Sequence, residues 1–356
     1  MQCDLFCWTA WLISYIVWTN RTGGLRSLAK RTLFVFFTGG TISMEHREGD
    51  IGVVPSDNYD GLLQGMSLVP DVILKPVWLS NIPSPHMDLD HMQQLCEKVD
   101  TALAKPDVAG AVILHGTDLL VETAFVIEQL LRVPKPVVLT GAMRHVGEQG
   151  YDGVRNLQNS IQASLNLPRS CEIMIQMADK LYTAMDAEKI DSLSVEPFTG
   201  KNLGSAGRIT NEGVRLTNMT KVKRPRLVLD RPGASFFVPL ITCYPGMDCT
   251  LINAAVDKGA SGIVIEGFGA GNVTPSVEEA VVRAIEEYDI PVVLTTRCLK
   301  GGVSPCYGYP GGAASLKRKG TILAGSLSGT KAHLLLTMAL QGGLSGEELA
   351  MLYKSI

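Results

Sequence analysis

The stretch Ala111–Glu122, AVILHGTDLLVE, constrains the fold of this chain more than any other. Ala111–Leu114 is a short, unbroken apolar run, as expected of a strand buried on both faces. His115-Gly116-Thr117-Asp118 ends it, and apolar periodicity predicts a helix from Leu119 to about Leu131. Strand, polar turn and helix together form the repeating unit of a parallel α/β sheet. The turn then lies at the carboxyl end of a buried strand, where open α/β sheets bind ligands. A helix N-terminus adds free N–H groups and a partial positive charge. Helix capping alone would also account for a threonine and an aspartate here.

A second stretch repeats the pattern. Thr32–Phe37, TLFVFF, reads as another buried strand and ends in Thr38-Gly39-Gly40-Thr41-Ile42-Ser43. The glycine pair lets the backbone turn tightly and approach a neighbour or ligand closely. If both strands share one parallel sheet, Thr41 and Thr117 face each other across one cleft.

At 356 residues the chain is long enough for two domains. Hydrophobic residues make up 46% and charged residues 19%, which marks a globular protein. A net charge of −3 gives no electrostatic reason to expect nucleic acid or anionic membrane as a partner. Eight cysteines stand at 3, 7, 96, 171, 243, 249, 298 and 306, without CxxC or zinc spacing. They read as reduced thiols, hence a cytoplasmic protein. Leu5–Trp18 is apolar and holds Trp8, Trp11 and Trp18, with basic residues after it rather than before. It is too short for a membrane-spanning helix and has the wrong polarity for a secretory signal. An atypical export or anchor segment, a disordered extension and a start codon placed too early all fit. The last two are favoured, so residues 1–31 stay outside the fold argument.

The remaining pattern is α/β throughout. Further N-terminal strands are expected at Val72–Leu79, Pro136–Thr140 and Glu172–Gln176, with helices ending at Leu103 and covering Asp152–Asn166. Ser43–Asp60 is a long polar loop, either a lid or ordinary surface. His86, Asp88, Asp90 and His91 resemble a metal cluster, but helix capping explains the aspartates better. Asp179-Lys180 follows a strand; on pattern alone the lysine reads as solvated surface. Val195–Leu216 reads as loop. Strands at Phe237–Thr242, Gly262–Glu266 and Pro291–Thr296 alternate with helices at Asp248–Lys258 and Pro275–Glu287, a βαβαβ unit. The expectation is two α/β domains: a larger, Rossmann-like parallel-sheet domain over 32–219 and a smaller, flavodoxin-like one over 236–356, joined by a linker at 220–235.

Several motifs carry little. Gly267–Gly271 lacks the dinucleotide spacing, and no phosphate-cradling GxxxxGK[ST] exists, so a nucleotide-binding protein is disfavoured. Ser328-Gly329-Thr330-Lys331 matches SxxK without its SDN and KTG companions, and a helix start explains it better. Thr41, Thr117, Asp118 and Lys180 remain, and acyl transfer is the chemistry that would use them together. A threonine hydroxyl needs a base to take its proton. A lysine serves if its own proton is shed or shared with a carboxylate.

At these residues the chain resembles the bacterial-type L-asparaginase/glutaminase family. TGGTIS (38–43) and HGTDLLVETA (115–124) look like the two family signatures. PVVLTGAMR (136–144), the DGxxNL pattern (152–157) and DKLYTAMDAEK (179–189) also match, the last placing Lys180 on the family lysine. The resemblance covers about 32–354. It implies hydrolysis of the asparagine side-chain amide to aspartate and ammonia, with no cofactor and no metal. It further implies Thr41 as the nucleophile and Thr117, Asp118 and Lys180 as an activating triad. Asp118 would hold the substrate's α-amino group and Ser84 its α-carboxylate, with Gly40, Gly116 and Ala142 lining the pocket. L-asparagine is the implied substrate with L-glutamine as a second, and the implied assembly is a homo-oligomer, dimer or tetramer.

Three positions depart from the family pattern. Val53 stands where the lid commonly has a tyrosine, Tyr59 being the nearest one in sequence; Ala270 replaces an asparagine, and Pro85 a glutamine. These departures keep two alternatives in view: a non-catalytic amino-acid sensor on the same fold, and a glutaminase or amidotransferase-type subunit.

Overall fold

The computed structural model describes residues 31–46, 49, 51–55, 62, 64, 72–169, 171–217 and 226–356. The readings made for residues 1–30 and for Tyr59 therefore lie outside the described residues; Arg31 opens the first strand. Two sheets dominate. The larger has eight strands: β1 (Arg31–Phe37), β4 (Val72–Trp78), β5 (Val108–Leu114), β6 (Val137–Thr140), β7 (Met174–Met177), β8 (Lys180–Thr183), β11 (Gly207–Thr210) and β12 (Gly213–Leu216). Their spatial order is β12-β11-β8-β7-β6-β5-β1-β4. Strands β4, β1, β5, β6 and β7 run parallel, and β8, β11 and β12 extend the sheet by antiparallel pairing. Two short ribbons stand outside it: β2 (Met44–His46) with β3 (Val53–Pro55), and β9 (Ala187–Lys189) with β10 (Phe198–Gly200).

The central strands are apolar on both faces because helices cover both. Leu33, Val35 and Phe37 point to one side and Phe34 and Phe36 to the other, and all five are buried. Helices α1 (Leu89–Leu103) and α2 (Leu120–Leu130) pack with Phe34, Phe36 and Ile113 in one core cluster. Helix α3 (Gly153–Asn166) places Leu157 and Ile161 with Leu33, Val35 and Phe37 in another. Asp88 caps α1: its Oδ1 accepts the His91 amide at 2.9 Å within a capping box. That accounts for the aspartate without a metal. Among the described residues no group of three or more His, Cys, Asp or Glu could hold an ion.

The smaller sheet is parallel, with β13 (Leu240–Thr242), β14 (Ile263–Gly267), β15 (Val292–Thr296) and β16 (Ile322–Leu323) in sequential order. Its helices are α4 (Thr250–Asp257), α5 (Pro275–Glu286), α6 (Ala313–Arg318), α7 (Gly329–Gln341) and α8 (Gly346–Ser355). The expected α/β class with a large and a small parallel-sheet domain is what forms. One part was misread as loop and one short helix was not anticipated. Val195–Leu216 contains β10, β11 and β12, each only three or four residues long; runs so short give no measurable alternation. Helix α6 is a single short stretch after a glycine pair.

The two domains share a core. Leu334, Leu335 and Met338 of α7 belong to the same apolar cluster as Phe125 and Ile127 of α2. Of the expected linker, the described part 226–235 is pinned at its start and near its end. Arg226 pairs with the buried Glu128 at 2.9 Å, and Leu227 donates its amide to Gln129. Arg231 donates its amide to Gln341 on α7. The described cysteines, Cys96, Cys171, Cys243, Cys249, Cys298 and Cys306, are all free thiols. No described helix is long and apolar enough to cross a membrane.

Candidate active site

Three adjacent parallel strands, β1, β5 and β6, end together, and their turns build the site. Thr38 leaves β1 bonded to Leu114 by both amide and hydroxyl, at 3.1 and 2.9 Å. His115 leaves β5 with its amide on Thr140, at 2.8 Å. The turns then touch backbone to backbone. Gly40 has φ +93°, and a Cβ there would lie 2.4 Å from Gly116 Cα. A Cβ on Gly116 would lie 2.6 Å from Ser84 Oγ, and one on Gly141 would lie 3.1 Å from the Thr117 methyl. Only glycines permit this approach. It brings Gly40, Gly116, Ser84 and Thr117 into one locality.

Thr41 follows directly, at the start of a 3₁₀ turn, Thr41–Ser43. The Ile42 side chain anchors that turn in the core at 1% exposure, and Ser43 hydrogen-bonds Gly40 through amide and hydroxyl. Thr41 itself is half-buried, so its hydroxyl is not lost to the core. Ser84 begins another 3₁₀ turn and is buried. Ala142 is 1% exposed and packs with Ile42 and Leu157 in the core cluster beneath the site.

Thr117 and Asp118 are not caps. The residue at the N-cap of α2 is Leu119, and no side chain caps that end. Their polar groups go elsewhere: Lys189 Nζ donates to Thr117 Oγ1 at 3.0 Å and to Asp118 Oδ1 at 2.7 Å. Thr117 is buried, Lys189 partly so, and the Asp118 side chain is 60% exposed. A cleft of about 470 Å³ borders the Asp118–Lys189 pair, with Glu188, Asp191 and Ser192 on its walls.

This corrects the lysine. Lys180 was expected to join Thr117 and Asp118, and it does not: its Nζ pairs with Glu196 Oε2 at 2.6 Å. Ala178 and Asp179 both have positive φ, 47° and 65°, and turn the chain into a hairpin so that Lys180 opens β8. β8 lies three strands from β5. At about 4.8 Å per strand, that is about 14 Å along the sheet. Nine positions later, β9 brings Lys189 back over the edge. Both lysines belong to the same matching segment, DKLYTAMDAEK, so the segment alone does not say which one faces the threonine. The available signal was at its end: a lysine after the short strand start Ala187-Glu188, followed by polar turn residues.

His115 sits directly under the turn. It is fully buried; Nδ1 donates to the Gly116 carbonyl at 2.7 Å, and Nε2 accepts from Thr123 Oγ1 at 3.0 Å. The carbonyl can only accept, which sets the neutral tautomer. Burial holds the imidazole down from an ordinary 6.5 to about 4. The unfolded chain therefore binds a proton in that window and the folded chain does not. Stability from this group is complete above pH 6.5 and is lost as pH falls toward 4. We expect a loss of about 3 kcal/mol between pH 7 and pH 4 from this residue. Urea unfolding of the wild type and of His115→Gln across that range checks it: the variant should show the shallower pH dependence.

The remaining departures have physical settings. Val53 is half-buried on β3, paired across the ribbon with His46. Tyr151 donates its hydroxyl to the Ile42 carbonyl at 2.7 Å, so a phenol does reach the Thr41 turn, from the loop just before α3. Burial raises that phenol well above its ordinary value, so it acts there as a donor. Ala270 lies on the turn after β14 and accepts the Ser304 amide at 3.0 Å.

The comparisons agree on kinship. Residues 32–221 match the family model described as "Asparaginase, N-terminal", and residues 237–352 match "Glutaminase/Asparaginase C-terminal domain". A "Probable L-asparaginase" of Deinococcus radiodurans is 33% identical over 325 residues, covering 90% of this chain and 96% of that protein. An "L-asparaginase" of Bacillus licheniformis is 28% identical over 304 residues, covering 85% and 93%. Among solved structures, a "Probable Cytoplasmic L-asparaginase" from Campylobacter jejuni superposes with a TM-score of 0.79 at 25% identity, covering 91% of this chain and 99% of that one.

Proposed function

The chain belongs to the asparaginase family, and on that premise we propose that it hydrolyses the side-chain amide of L-asparagine through an acyl-enzyme on Thr41. The observation that carries the reading is the contiguous Thr117–Lys189–Asp118 relay at the strand edge beside Gly40 and Thr41. Lys189 passes a proton toward Asp118 or water and so can accept one from the Thr117 side. Thr41 Oγ attacks the amide carbon, its proton goes to the departing nitrogen, and ammonia leaves. A water activated at Thr117 then cleaves the ester, restoring Thr41 and releasing aspartate. Backbone N–H groups of residues 40–42 and 116–119 would serve the developing oxyanion. The exposed Asp118 carboxylate takes the α-ammonium, and Ser84 takes the α-carboxylate. None of these steps calls for a cofactor or metal.

The test is ammonia release by purified protein from L-asparagine and from L-glutamine. Turnover with asparagine is expected, with glutamine the poorer substrate. Release from neither amide would rule the reading out and favour the sensor. A cytoplasmic setting and a homo-oligomer, dimer or tetramer, belong to the same proposal. The cytoplasmic setting draws on the similar Campylobacter jejuni protein, described as cytoplasmic, and on the free thiols; the assembly follows from the family resemblance, and light scattering measures it.

A further inference from the structure

The lysine of the SGTK sequence, set aside above as a helix start, occupies an unusual place. Lys331 lies on α7 in the C-terminal domain and is 1% exposed. Its ammonium reaches across the domain interface and donates to the carbonyls of Met185 and Ala187, at 3.0 and 2.5 Å. It also lies 3.3 Å from Glu188 Oε1. Glu122 and Asp186 supply further negative charge around it. A buried ammonium is costly unless its donors are met, and here the acceptors all come from one strand entry, residues 185–188.

The next residue on that strand is Lys189. Successive side chains on a strand point to opposite faces. Glu188 therefore turns inward to Lys331, and Lys189 turns outward to Thr117 and Asp118. Among the described residues β9, three residues long, pairs with the equally short β10, the ladder running one bond further at each end through Ile190–Pro197 and Lys201–Asp186. So small a ribbon has little ladder of its own to set a register. We propose that Lys331 is a positioning residue: by gripping the 185–188 backbone from the C-terminal domain, it holds Lys189 at the threonine and ties the relay to domain packing.

This rests on the relay reading above, so the experiment separates the two. Lys331→Met keeps the stem and removes the donors. It is expected to lower kcat about 10- to 100-fold through misplacement of Lys189, with KM changed by less than about threefold. Lys331→Met leaves Glu188 without its cation, so a loss of stability is expected as well. The double variant Lys331→Met/Glu188→Gln removes that orphan charge: melting temperature should recover while kcat stays low. Backbone amide exchange of residues 185–190 should rise in Lys331→Met relative to β11, whether or not the protein turns over asparagine. Wild-type kcat in Lys331→Met, recovery of kcat together with melting temperature in the double variant, or unchanged exchange at 185–190 would each overturn the proposal. If Lys331→Met does not accumulate folded, Lys331→Arg serves: its planar head does not fit the two-carbonyl seat, so kcat should fall, and wild-type kcat would be the contrary result. Absent turnover in the wild type would instead count against the function and leave the exchange measurement standing.

Discussion

Thr41→Ala and Thr117→Ala should each reduce ammonia release from L-asparagine by about 10⁴- to 10⁶-fold, the scale seen when one member of an acyl-transfer unit is removed. The two losses should not add, because both residues serve one reaction path; the double variant should be about as impaired as the worse single one. Folding should survive. Thr41 is half-buried on a turn that Ile42 and Ser43 hold by themselves. Thr117 loses one hydrogen bond from Lys189, worth about 1 kcal/mol and a melting shift of about 2–4 °C. Steady-state ammonia assays beside thermal melts make the comparison. A sensor would behave otherwise: it would have no turnover to lose and would keep its ligand response with Thr41 replaced.

Lys189→Met should lower kcat by about 10²- to 10⁴-fold, the range for loss of a positioned proton carrier, whereas Lys180→Met should leave it within about twofold of wild type. The two lysines make this a sharp contrast. Lys189 touches both Thr117 and Asp118; Lys180 touches Glu196, and Glu196 is exposed. Breaking the Lys180–Glu196 pair costs about 0–1 kcal/mol of stability, as partly exposed pairs do. Removing Lys189 also releases the Asp118 carboxylate, which is already open to water and needs no other cation. Matched kcat and KM measurements decide the matter. If Lys180→Met were the inactive variant and Lys189→Met the active one, the relay drawn here would be wrong.

Both expectations show where a linear reading stops. Thr41 and Thr117 were legible because each follows a strand whose apolar run is unmistakable, and parallel strands end on one edge by construction. Gly40 was legible for a related reason, since close backbone approach demands glycine, whereas Gly116 came only with the family resemblance. The lysine was not legible. Choosing between 180 and 189 required knowing that Ala178 and Asp179 form a hairpin turn with positive φ, a conformation aspartate tolerates but alanine does not advertise. The capping alternative for Thr117 and Asp118 was likewise reasonable from composition and was decided by a partner more than seventy positions away.

Taken alone, the order of residues determined the layered α/β architecture, the two sheets, the polar turns at their carboxyl edge and the kind of chemistry those turns can support. These follow from local periodicity and from the physical requirement that apolar strands be covered. The tertiary structure decided which ammonium meets the threonine and what the deeply buried Lys331 holds. Those contacts join residues 72 and 144 positions apart, and their geometry depends on short ribbons and a domain interface that carry no periodic signal of their own.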